Sequence, residues 1–580
     1  MLAIPSPGAS RHVTFSRRIL PVSLAALIAA SAAATQAPAQ PAKGPTAMVA
    51  AAEPDAVEAG LKVLKAGGSA VDAAVAVQAV LGLEEPQSSG LGGGAFMTYY
   101  DAKTRQVTAY NGRETAPAGA TPELFYGPDG KPMPKGLAIV GGRSAGVPGA
   151  IAMLHLAQRQ HGKLAWKDLF GEAEHLAADG FHVPARMAAA AASNAPQAKQ
   201  PDAIAYFTKP DGTKVQAGEL MKNPAYAATV RRIAAEGPKA ILEGPIAAEI
   251  VAKLHEGPYP SAMTLKDLAG YKPKATPAVC RPYREYTVCV PPAPSGGPAV
   301  LEGLGILQRT DIAKHHNDVE GWYLFSQASR LMYADRDRYY GDPDFVSVPM
   351  EGLLAPDYLD ARAKLINPTT AGPPPGPGKP KGAGERAPDR TREPGGTTHM
   401  VIVDKDGNAV SMTTTVESIF GDGKMVGGFF LNNQLTDFSF QPKDQDGAPA
   451  ANAPAGGKRP RSSMAPAIVL DKQRRFFAGA GSPGGPSIIA FNLKVLVGLL
   501  DWKLSPQEAV ALPNLIAFDT VYASEPAKYP AGVVAGLAAK GVAVRGGPFG
   551  EGSGEQAIKI TPNGLQGGAD PRREGIAKGY

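Results

Sequence analysis

Residues Gly395-Gly396-Thr397-Thr398-His399 join a Pro/Gly-rich tract to an apolar run, Met400-Val401-Ile402-Val403. The apolar run is typical of a buried β-strand. A threonine that follows a flexible glycine at the start of a strand is well placed to attack the peptide bond before it. The sequence therefore indicates a chain that cuts itself between Gly396 and Thr397 and makes Thr397 an N-terminus.

The chemistry of an N-terminal threonine explains why such a cut would matter. A threonine hydroxyl is a weak nucleophile until a base accepts its proton, and a free α-amine on the same residue is such a base. The amine of Thr397 exists only once the bond is broken. Because a pair of threonines at a strand start is ordinary by itself, the rest of the sequence has to support this hypothesis.

Bulk composition restricts the class of protein. The chain has 580 residues, 44% of them hydrophobic, which is enough for a large core. Its formal net charge of +6 is small for this length, and no Lys/Arg-dense run carries interleaved aromatics, so no nucleic-acid partner is expected. After the first forty residues no segment is apolar enough to span a bilayer, so no membrane anchor is expected either.

The first 39 residues have the pattern of a secretory signal. Three arginines precede an apolar run over 19–34, and Ala37-Pro38-Ala39 follows as a cleavage site. Residues 1–39 are therefore predicted to be removed on export, which leaves a periplasmic or secreted protein. The adjacent Arg17-Arg18 leaves twin-arginine export open beside the general route.

The chain has two cysteines, Cys280 and Cys289. If Arg284-Glu285 is the turn of a β-hairpin, each cysteine lies four residues outside it and the two face each other. An oxidising compartment permits a disulfide between them, and two buried free thiols are the alternative. The segment offers too few ligands for a metal site.

The character of the sequence changes along the chain. Residues 54–83 predict a helical hairpin, and residues 145–365 carry mostly helical patterns. The tract 368–396 is rich in Pro and Gly and has almost no apolar residues, so it predicts a solvent-exposed linker. After Thr397 the pattern favours strands, followed by a helix over 487–500.

Ordered motifs flank the proposed scissile bond on both sides. Those before it are Gly67-Gly68-Ser69-Ala70-Val71-Asp72-Ala73-Ala74, Gly92-Gly93-Gly94-Ala95-Phe96, Arg113-Glu114-Thr115-Ala116-Pro117, Tyr333-Ala334-Asp335-Arg336 and Gly341-Asp342-Pro343-Asp344. Those after it are Leu431-Asn432-Asn433-Gln434-Leu435-Thr436-Asp437-Phe438-Ser439, Lys458-Arg459-Pro460-Arg461-Ser462-Ser463-Met464, Gly481-Ser482-Pro483-Gly484-Gly485 and Ala569-Asp570-Pro571-Arg572. With the run from Gly396 to Val410, they closely resemble the γ-glutamyltransferases, which are self-cleaving N-terminal-nucleophile hydrolases.

The resemblance covers nearly the whole mature chain and implies an architecture. The expected fold class is α+β, a four-layer αββα sandwich formed jointly by two subunits from one precursor. The large subunit would comprise residues 40–396 and the small catalytic subunit residues 397–580, held together as an obligate heterodimer. Neither a metal nor an organic cofactor would be required.

The resemblance also implies catalytic roles. Thr397 would first attack the carbonyl of Gly396 and later the substrate. Thr415 would contact the nucleophile through its hydroxyl. The backbone N–H groups of Gly484 and Gly485 would stabilise the oxyanion, because glycine lets a substrate carbonyl approach the main chain closely.

An amino-acid-like acyl donor needs groups for its carboxylate and its ammonium. By resemblance, Arg113 with Ser462 and Ser463 would bind the carboxylate. Gln434 and Asp437 would accept hydrogen bonds from the ammonium.

Glu417 departs from the family pattern, because the transferases usually carry Asn shortly after the second threonine. Its carboxylate either strengthens ammonium binding or reshapes the pocket for another acyl group. The expected activity is cleavage of γ-glutamyl amides such as glutathione, with water, an amino acid or a dipeptide as acceptor. A cephalosporin- or glutaryl-type acylase is the alternative on the same scaffold, and a non-catalytic binding protein of this fold is the alternative from another class.

Overall fold

Two antiparallel sheets form the centre of the molecule. The computed structural model describes residues 44–389, 391, 393, 395–547 and 552–580, so the signal sequence expected over 1–39 lies outside the described residues. The described strands are β1 Met48–Ala51, β2 Gly94–Asp101, β3 Gln106–Asn111, β4 Phe181–His182, β5 Leu220–Met221, β6 Lys274–Pro277, β7 Val279–Tyr283, β8 Tyr286–Val290, β9 Thr397–Val403, β10 Ala409–Thr415, β11 Met425–Val426, β12 Phe429–Phe430, β13 Ala467–Leu470, β14 Phe476–Gly481, β15 Leu515–Phe518, β16 Val521–Ser524, β17 Arg545–Gly546, β18 Gln556–Thr561, β19 Gly564–Ala569 and β20 Ile576–Gly579.

Helices cover the outer face of each sheet. The described α-helices are α1 Pro54–Lys65, α2 Ala70–Glu84, α3 Lys135–Val140, α4 Ala150–His161, α5 Gly171–Asp179, α6 Ala185–Ala192, α7 Pro201–Phe207, α8 Pro224–Glu236, α9 Lys239–Leu242, α10 Gly244–Leu254, α11 Leu265–Ala269, α12 Gly297–Leu307, α13 Val319–Tyr339, α14 Met350–Leu353, α15 Pro356–Ala363, α16 Ile488–Leu500, α17 Pro506–Ala511 and α18 Val533–Ala539. None of these helices has the length and apolar character needed to cross a membrane.

Both sheets combine strands from the two sides of the Gly396–Thr397 bond. The strand order is β20-β1-β9-β10-β2-β3-β6 in the first sheet and β19-β18-β14-β13-β8-β7 in the second. The hairpin β9–β10, which follows the bond, lies between β1 and β2, which precede it. A cut at this bond leaves each sheet hydrogen-bonded across the two pieces, so neither piece holds a complete sheet alone.

Three apolar layers hold the four structural layers together. Between the sheets, side chains such as Tyr100, Val401, Ile468 and Ile558 pack in one cluster. A second cluster joins the first sheet to helices that include α1, α2 and α4, and a third joins the second sheet to helices that include α12, α13 and α16. The αββα sandwich implied by the resemblance is therefore confirmed.

Helix α2 supports the strands that carry the proposed nucleophile. It is buried on all sides because its sequence is almost wholly apolar, and it packs against β9 and β10. A capping box fixes its start: the Ser69 hydroxyl accepts from the Asp72 N–H, and the Asp72 carboxylate accepts from the Ser69 N–H. The apolar pattern after Gly68 thus places a rigid helix beneath β9 and β10.

Several predicted elements are confirmed, with shifted ends. The helical hairpin predicted over 54–83 is α1 and α2. The strand predicted from Met400 begins three residues earlier, at Thr397, because Thr397 already pairs with Thr415 of β10. The strand expected over 429–432 ends at Phe430.

The predicted linker is exposed only in its first part. Residues 368–386 lie mostly at the surface, whereas Ala387, Asp389 and Glu393 are buried. Asp389 accepts a hydrogen bond from Asn452 at 2.9 Å, and both acidic residues have buried arginine neighbours. The expectation of an exposed linker over all of 368–396 is therefore wrong at its end, because composition does not reveal charged partners that are distant in sequence.

A disulfide joins Cys280 and Cys289 across the hairpin β7–β8. The register of the two strands pairs the cysteines directly, as a turn at Arg284-Glu285 predicts. Cys289 belongs to the apolar cluster between the sheets. The structure therefore has the bonded pair, not the two free thiols.

We expect the double substitution Cys280→Ala/Cys289→Ala to lower the midpoint of thermal unfolding by a few degrees. Closing a loop of about ten residues in the unfolded chain contributes about 2 to 3 kcal/mol to the free energy of unfolding. Scanning fluorimetry with and without dithiothreitol provides the matched control, since the reductant should lower the midpoint of the wild type only. Identical midpoints for wild type and double variant would contradict a stabilising disulfide.

Candidate active site

The ends of β9 and β10 open onto a small cavity of about 20 Å³, which is room for about one water molecule. Nine of the ten residues to which the sequence gave catalytic or binding roles line it; Gly484, which precedes the lining residue Gly485, does not. Glu393, Met464 and Ile488 also line it without having been predicted. The cavity lining is Arg113, Glu393, Thr397, Thr415, Glu417, Gln434, Asp437, Ser462, Ser463, Met464, Gly485 and Ile488.

A chain of hydroxyl groups connects Thr397 to the carbonyl of Gly396. Thr397 Oγ1 donates to Thr415 Oγ1 at 3.1 Å, and Thr415 Oγ1 donates to the Gly396 oxygen at 2.6 Å. The Glu417 N–H donates to Thr415 Oγ1 at 2.8 Å and fixes that hydroxyl. Thr415 can therefore take the proton of the attacking hydroxyl as it passes its own proton to the carbonyl oxygen on which charge develops.

The main chain of Thr397 is held by a residue from the C-terminal part of the chain. Arg573 Nη1 donates to the Thr397 carbonyl oxygen at 3.1 Å and to Glu85 Oε1 at 3.2 Å. All three residues are buried. Sequence reasoning missed Arg573, and its position directly after the motif Ala569-Asp570-Pro571-Arg572 was the only signal for it.

His399 lies two residues after Thr397, and its ring contacts the hydroxyl groups of Thr413 and Ser411 on β10. Burial lowers the pKa of His399 to about 3, so the ring is neutral. Its Nδ1 lies 2.9 Å from Thr413 Oγ1 and its Nε2 lies 3.4 Å from Ser411 Oγ. A Cβ atom on Gly481 would lie 2.2 Å from the ring, so glycine is required there for the imidazole to fit.

One part of the cavity wall carries unpaired acceptors. Gln434 Nε2 donates to Asp437 Oδ2 at 2.7 Å, within the short 3₁₀ helix Gln434–Asp437. Among the described residues, Gln434 Oε1, Asp437 Oδ1 and Glu417 Oε2 are buried and have no hydrogen-bond partner. Buried acceptors without partners are costly, so this wall suits a ligand with several N–H donors.

Glu417 is held in an unusual conformation. Its φ of 83° lies in the left-handed region that residues with a side chain seldom adopt. Thr436 Oγ1 donates to Glu417 Oε1 at 3.0 Å. Burial, and then the neighbouring Asp437, raise the pKa of Glu417 well above its usual value, opposed by Lys135. Burial likewise raises the pKa of Asp437, opposed by Arg113. A bound cation would let both carboxyl groups ionise.

Arg113 lines the cavity, but protein atoms already engage much of its guanidinium group. Its Nη2 donates to Asp437 Oδ2 at 2.5 Å and to the Arg461 carbonyl oxygen at 2.6 Å. Its Nε donates to the Pro460 carbonyl oxygen at 3.1 Å. In this state Arg113 supports the acidic wall and the loop that carries the two serines.

The two serines predicted to bind a donor carboxylate lie together on the wall. Ser463 Oγ donates to the carboxylate of Glu393 and accepts from Arg336 Nη2 at 2.6 Å. Ser462 Oγ accepts from the Met464 N–H at 3.1 Å. A carboxylate of the chain itself thus contacts one of these two serines.

The predicted oxyanion residues have backbones that only glycine adopts easily. Gly484 has φ 136° and Gly485 has φ 56°, at the start of the turn that leads into α16. A Cβ atom on Gly484 would lie 2.5 Å from the ring of Phe491.

Within the described part of the chain, no group of three or more His, Cys, Asp or Glu side chains is arranged to hold a metal ion.

Comparison with known proteins shows the family of this chain. The family model described as Gamma-glutamyltranspeptidase matches residues 56–580. The chain belongs to the gamma-glutamyltranspeptidase family. The glutathione hydrolase proenzyme of Bacillus subtilis (strain 168) is 36% identical over 490 residues, which cover 81% of this chain and 81% of that protein. That of Escherichia coli (strain K12) is 34% identical over 606 residues, covering 98% and 99%.

Solved structures of similar proteins share the architecture. The cephalosporin acylase from Bacillus halodurans has a TM-score of 0.81 at 27% identity, covering 93% of this chain and 96% of that chain. The Helicobacter pylori gamma-glutamyltranspeptidase has a TM-score of 0.53 at 31% identity, covering 55% and 92%. The chain is therefore an enzyme of the gamma-glutamyltranspeptidase family with the N-terminal-nucleophile hydrolase fold, and an N-terminal threonine nucleophile is characteristic of that family.

We expect Thr415→Val to slow self-cleavage about 100-fold or more, because valine keeps the shape of threonine but cannot relay a proton or donate to the Gly396 oxygen. The matched control is Thr414→Val on the same strand, whose hydroxyl donates to the Gly94 oxygen instead. Gel electrophoresis over time after synthesis measures the uncut fraction. Equal cleavage rates in the two variants would rule out the role given to Thr415.

Proposed function

We propose that this enzyme cuts itself between Gly396 and Thr397 and then hydrolyses the γ-glutamyl amide bond of compounds such as glutathione. The observation that carries the proposal is the hydroxyl chain from Thr397 through Thr415 to Gly396, beside a cavity wall with unpaired acceptors. Glutathione hydrolases among the relatives support the choice of substrate.

In the self-cleavage step, Thr397 Oγ1 bonds to the carbonyl carbon of Gly396 as its proton passes to Thr415 Oγ1, and Thr415 passes its own proton to the carbonyl oxygen. The C–N bond between the two residues then breaks as the carbonyl re-forms, and the proton released from that oxygen goes to the nitrogen, which becomes the α-amine of Thr397. Water hydrolyses the resulting ester. Gly396 ends as a carboxylate, and Thr397 regains its hydroxyl with a free amine beside it.

In the catalytic cycle, the α-amine of Thr397 accepts the proton of the Thr397 hydroxyl, and Oγ1 attacks the γ-carbonyl carbon of the donor. The N–H groups of Gly484 and Gly485 stabilise the oxyanion. The amide C–N bond breaks, and the leaving amine takes the proton from the Thr397 ammonium. Water then attacks the acyl-threonine ester and releases glutamate; an amine acceptor would release a new γ-glutamyl amide.

In this proposal the α-ammonium of the donor binds to Glu417, Gln434 and Asp437. An ammonium has three N–H donors, and the three side chains have one unpaired acceptor each. Its charge would also lower the raised pKa values of the two carboxyl groups, so binding and ionisation favour each other. Arg113, Ser462 and Ser463 stay the predicted contacts of the donor carboxylate.

A glutaryl-type acylase is the second candidate. It is favoured by the TM-score of 0.81 with the cephalosporin acylase from Bacillus halodurans. A glutaryl group has the carboxylate of a γ-glutamyl group but lacks its ammonium. It would therefore leave three buried acceptors without partners, which disfavours this candidate.

Export is part of the proposal. The signal pattern over 1–39 and the disulfide between Cys280 and Cys289 both fit an oxidising compartment. Fractionation of the producing cells tests this, and a protein confined to the cytoplasm with its leader intact would contradict it.

We expect wild-type enzyme to prefer γ-glutamyl-p-nitroanilide over glutaryl-p-nitroanilide by about 100-fold or more in kcat/KM, because only the first donor pairs the buried acceptors. Glu417→Gln should reduce kcat/KM for the γ-glutamyl donor and leave that for the glutaryl donor equal or higher. A wild-type preference for glutaryl would establish the acylase instead.

A pH profile gives a second readout of the same substitution. The acidic pair accepts an ammonium only when ionised, so kcat/KM for the γ-glutamyl donor should rise as pH rises through the raised pKa of the pair. Glu417→Gln removes the repulsion between Glu417 and Asp437, and the rise should move to lower pH. Superimposable profiles for wild type and variant would exclude ionisation of this pair from donor binding.

A further inference from the structure

Arg573 donates a hydrogen bond to the strand that carries the nucleophile, at a point that the neighbouring strand does not reach. The register of β1 and β9 ends at Ala50, which lies opposite Val401. The first residue of β9, Thr397, lies beyond this ladder. There the Thr397 carbonyl oxygen accepts from Arg573 Nη1 at 3.1 Å. A side chain therefore supplies a donor to the main chain where β1 supplies none.

The surrounding structure fixes the side chain of Arg573. The residue lies in the connection between β19 and β20, and its N–H donates to the Asp570 carbonyl oxygen at 3.1 Å. A Cβ atom on Gly554 would lie 2.4 Å from Arg573 Nε, so glycine leaves the room that the guanidinium group needs. Arg573 Nη1 also donates to Glu85 Oε1 at 3.2 Å, and the two side chains are 2% and 0% exposed. A charge-assisted hydrogen bond in this close-packed position restricts the orientation of the guanidinium group.

Glu85 connects this contact to the strand that carries Thr415. It is the C-cap residue of α2, and its Oε1 also accepts from Ser88 Oγ at 3.1 Å. Arg186 donates to the same oxygen of Glu85. The Ser88 carbonyl oxygen accepts from the N–H of Val416, the residue directly after Thr415, at 3.1 Å. One short loop thus holds both strands of the β9–β10 hairpin at the end that carries the two threonine hydroxyls.

Self-cleavage removes one of the restraints on Thr397, its covalent bond to Gly396. After the cut Thr397 is a chain terminus, and terminal residues lose order first unless a contact ties them down. A nucleophile tolerates little movement, because a displacement of about 1 Å at a reacting group can cost about 100-fold in rate. The hydrogen bond from Arg573 involves no atom of the broken bond, so it persists in the cut chain.

We propose that Arg573 is a positioning residue of the mature enzyme. Its hydrogen bond to the Thr397 carbonyl oxygen keeps the Thr397 hydroxyl beside Thr415 once the bond to Gly396 is broken, and Glu85 holds Arg573 in place. The inference rests on the proposed function for the identity of the nucleophile. Arg573 does not line the cavity, so its loss should slow the chemical step without weakening the binding of the donor.

Steady-state kinetics of processed enzyme test this role. Arg573→Met keeps the apolar part of the side chain and removes its donors, so kcat should fall about 10- to 100-fold while KM for γ-glutamyl-p-nitroanilide stays within about twofold. Arg573→Lys keeps the charge and a donor, and its kcat should lie between those of wild type and Arg573→Met. A raised KM with kcat unchanged, or equal kcat in the two variants, would overturn the proposal.

Arg284→Met is the matched control for the loss of a buried ion pair. Arg284 Nε donates to Asp501 Oδ1 at 2.8 Å, and the side chain of Asp501, at the end of α16 away from Gly485, is 0% exposed. This control should lower the midpoint of thermal unfolding, as Arg573→Met should, yet leave kcat within about twofold of wild type. Equal losses of kcat in the two variants would assign the effect to destabilisation and overturn the proposal.

Hydrogen exchange followed by mass spectrometry separates a role after the cut from a role before it. In processed enzyme, Arg573→Met should speed amide exchange at the start of β9 about tenfold or more. In the uncut Thr397→Ala chain the same substitution should change this exchange little, because the bond to Gly396 still restrains the strand. Equal increases in both forms would overturn the proposal. A folded Arg573→Met chain that does not cut itself would do so too, since Arg573 would then act before the cut.

Two milder variants keep the proposal testable if Arg573→Met does not fold. Arg573→Lys and Glu85→Gln both weaken the contact and leave the site filled, so each should lower kcat with KM unchanged. Wild-type kcat in both would overturn the proposal.

The choice of donor separates failure of this proposal from failure of the proposed function. If wild type prefers glutaryl-p-nitroanilide, the proposed function fails, and the variants are then compared on that donor. If wild type prefers γ-glutamyl-p-nitroanilide but Arg573→Met leaves kcat unchanged, the positioning role of Arg573 fails and the proposed function stands.

Discussion

The register of the β9–β10 hairpin is the constraint on which the site depends. It sets Thr397 directly opposite Thr415, so that one hydroxyl lies between the nucleophile and the carbonyl of Gly396. A slip by one residue would turn every side chain of the strand to the other face. Strands that precede the cut flank this hairpin on both sides, which lets the chain break at Thr397 without releasing the strand that carries it.

Buried charge is the second constraint on the site. The cavity has an acidic wall with unpaired acceptors, and Glu393, which also lines it, forms ion pairs with the buried Arg336 and Arg461. Buried polar and charged groups without partners are costly. Glu393 balances the charge of its arginine neighbours, while the raised pKa values of Glu417 and Asp437 favour the neutral form of the acidic wall. A bound ammonium would pair with the acceptors of the acidic wall.

Much of the fold and most of the cavity lining could be predicted from the sequence. The apolar periodicity of 54–83 is a local signal, and so is the apolar run Met400-Val401-Ile402-Val403; both became the expected elements. The motifs that contain Arg113, Gln434 and Ser462 predicted cavity residues, because each residue of a motif could be matched to the family pattern by its position. The predictions of these elements and cavity residues therefore rested on patterns that are local in the sequence.

Residues whose partners are distant in sequence were not predictable in this way. Glu393 lies in a tract whose composition indicates exposure, yet its partners, Arg336 and Ser463, are 57 and 70 residues away. Arg573 reaches the carbonyl of Thr397 across 176 residues. Such pairs are created by the tertiary fold, and neither the hydrophobic periodicity nor the turn residues of a sequence indicate them.

The most direct test is to identify the residue that carries the acyl group during turnover. Wild-type enzyme mixed with a γ-glutamyl donor is quenched in acid, digested and examined by mass spectrometry. The expected result is a peptide that begins at Thr397 and carries a γ-glutamyl group on that residue. An acyl group on another residue, or turnover by a chain in which the Gly396–Thr397 bond is intact, would contradict the central role of Thr397.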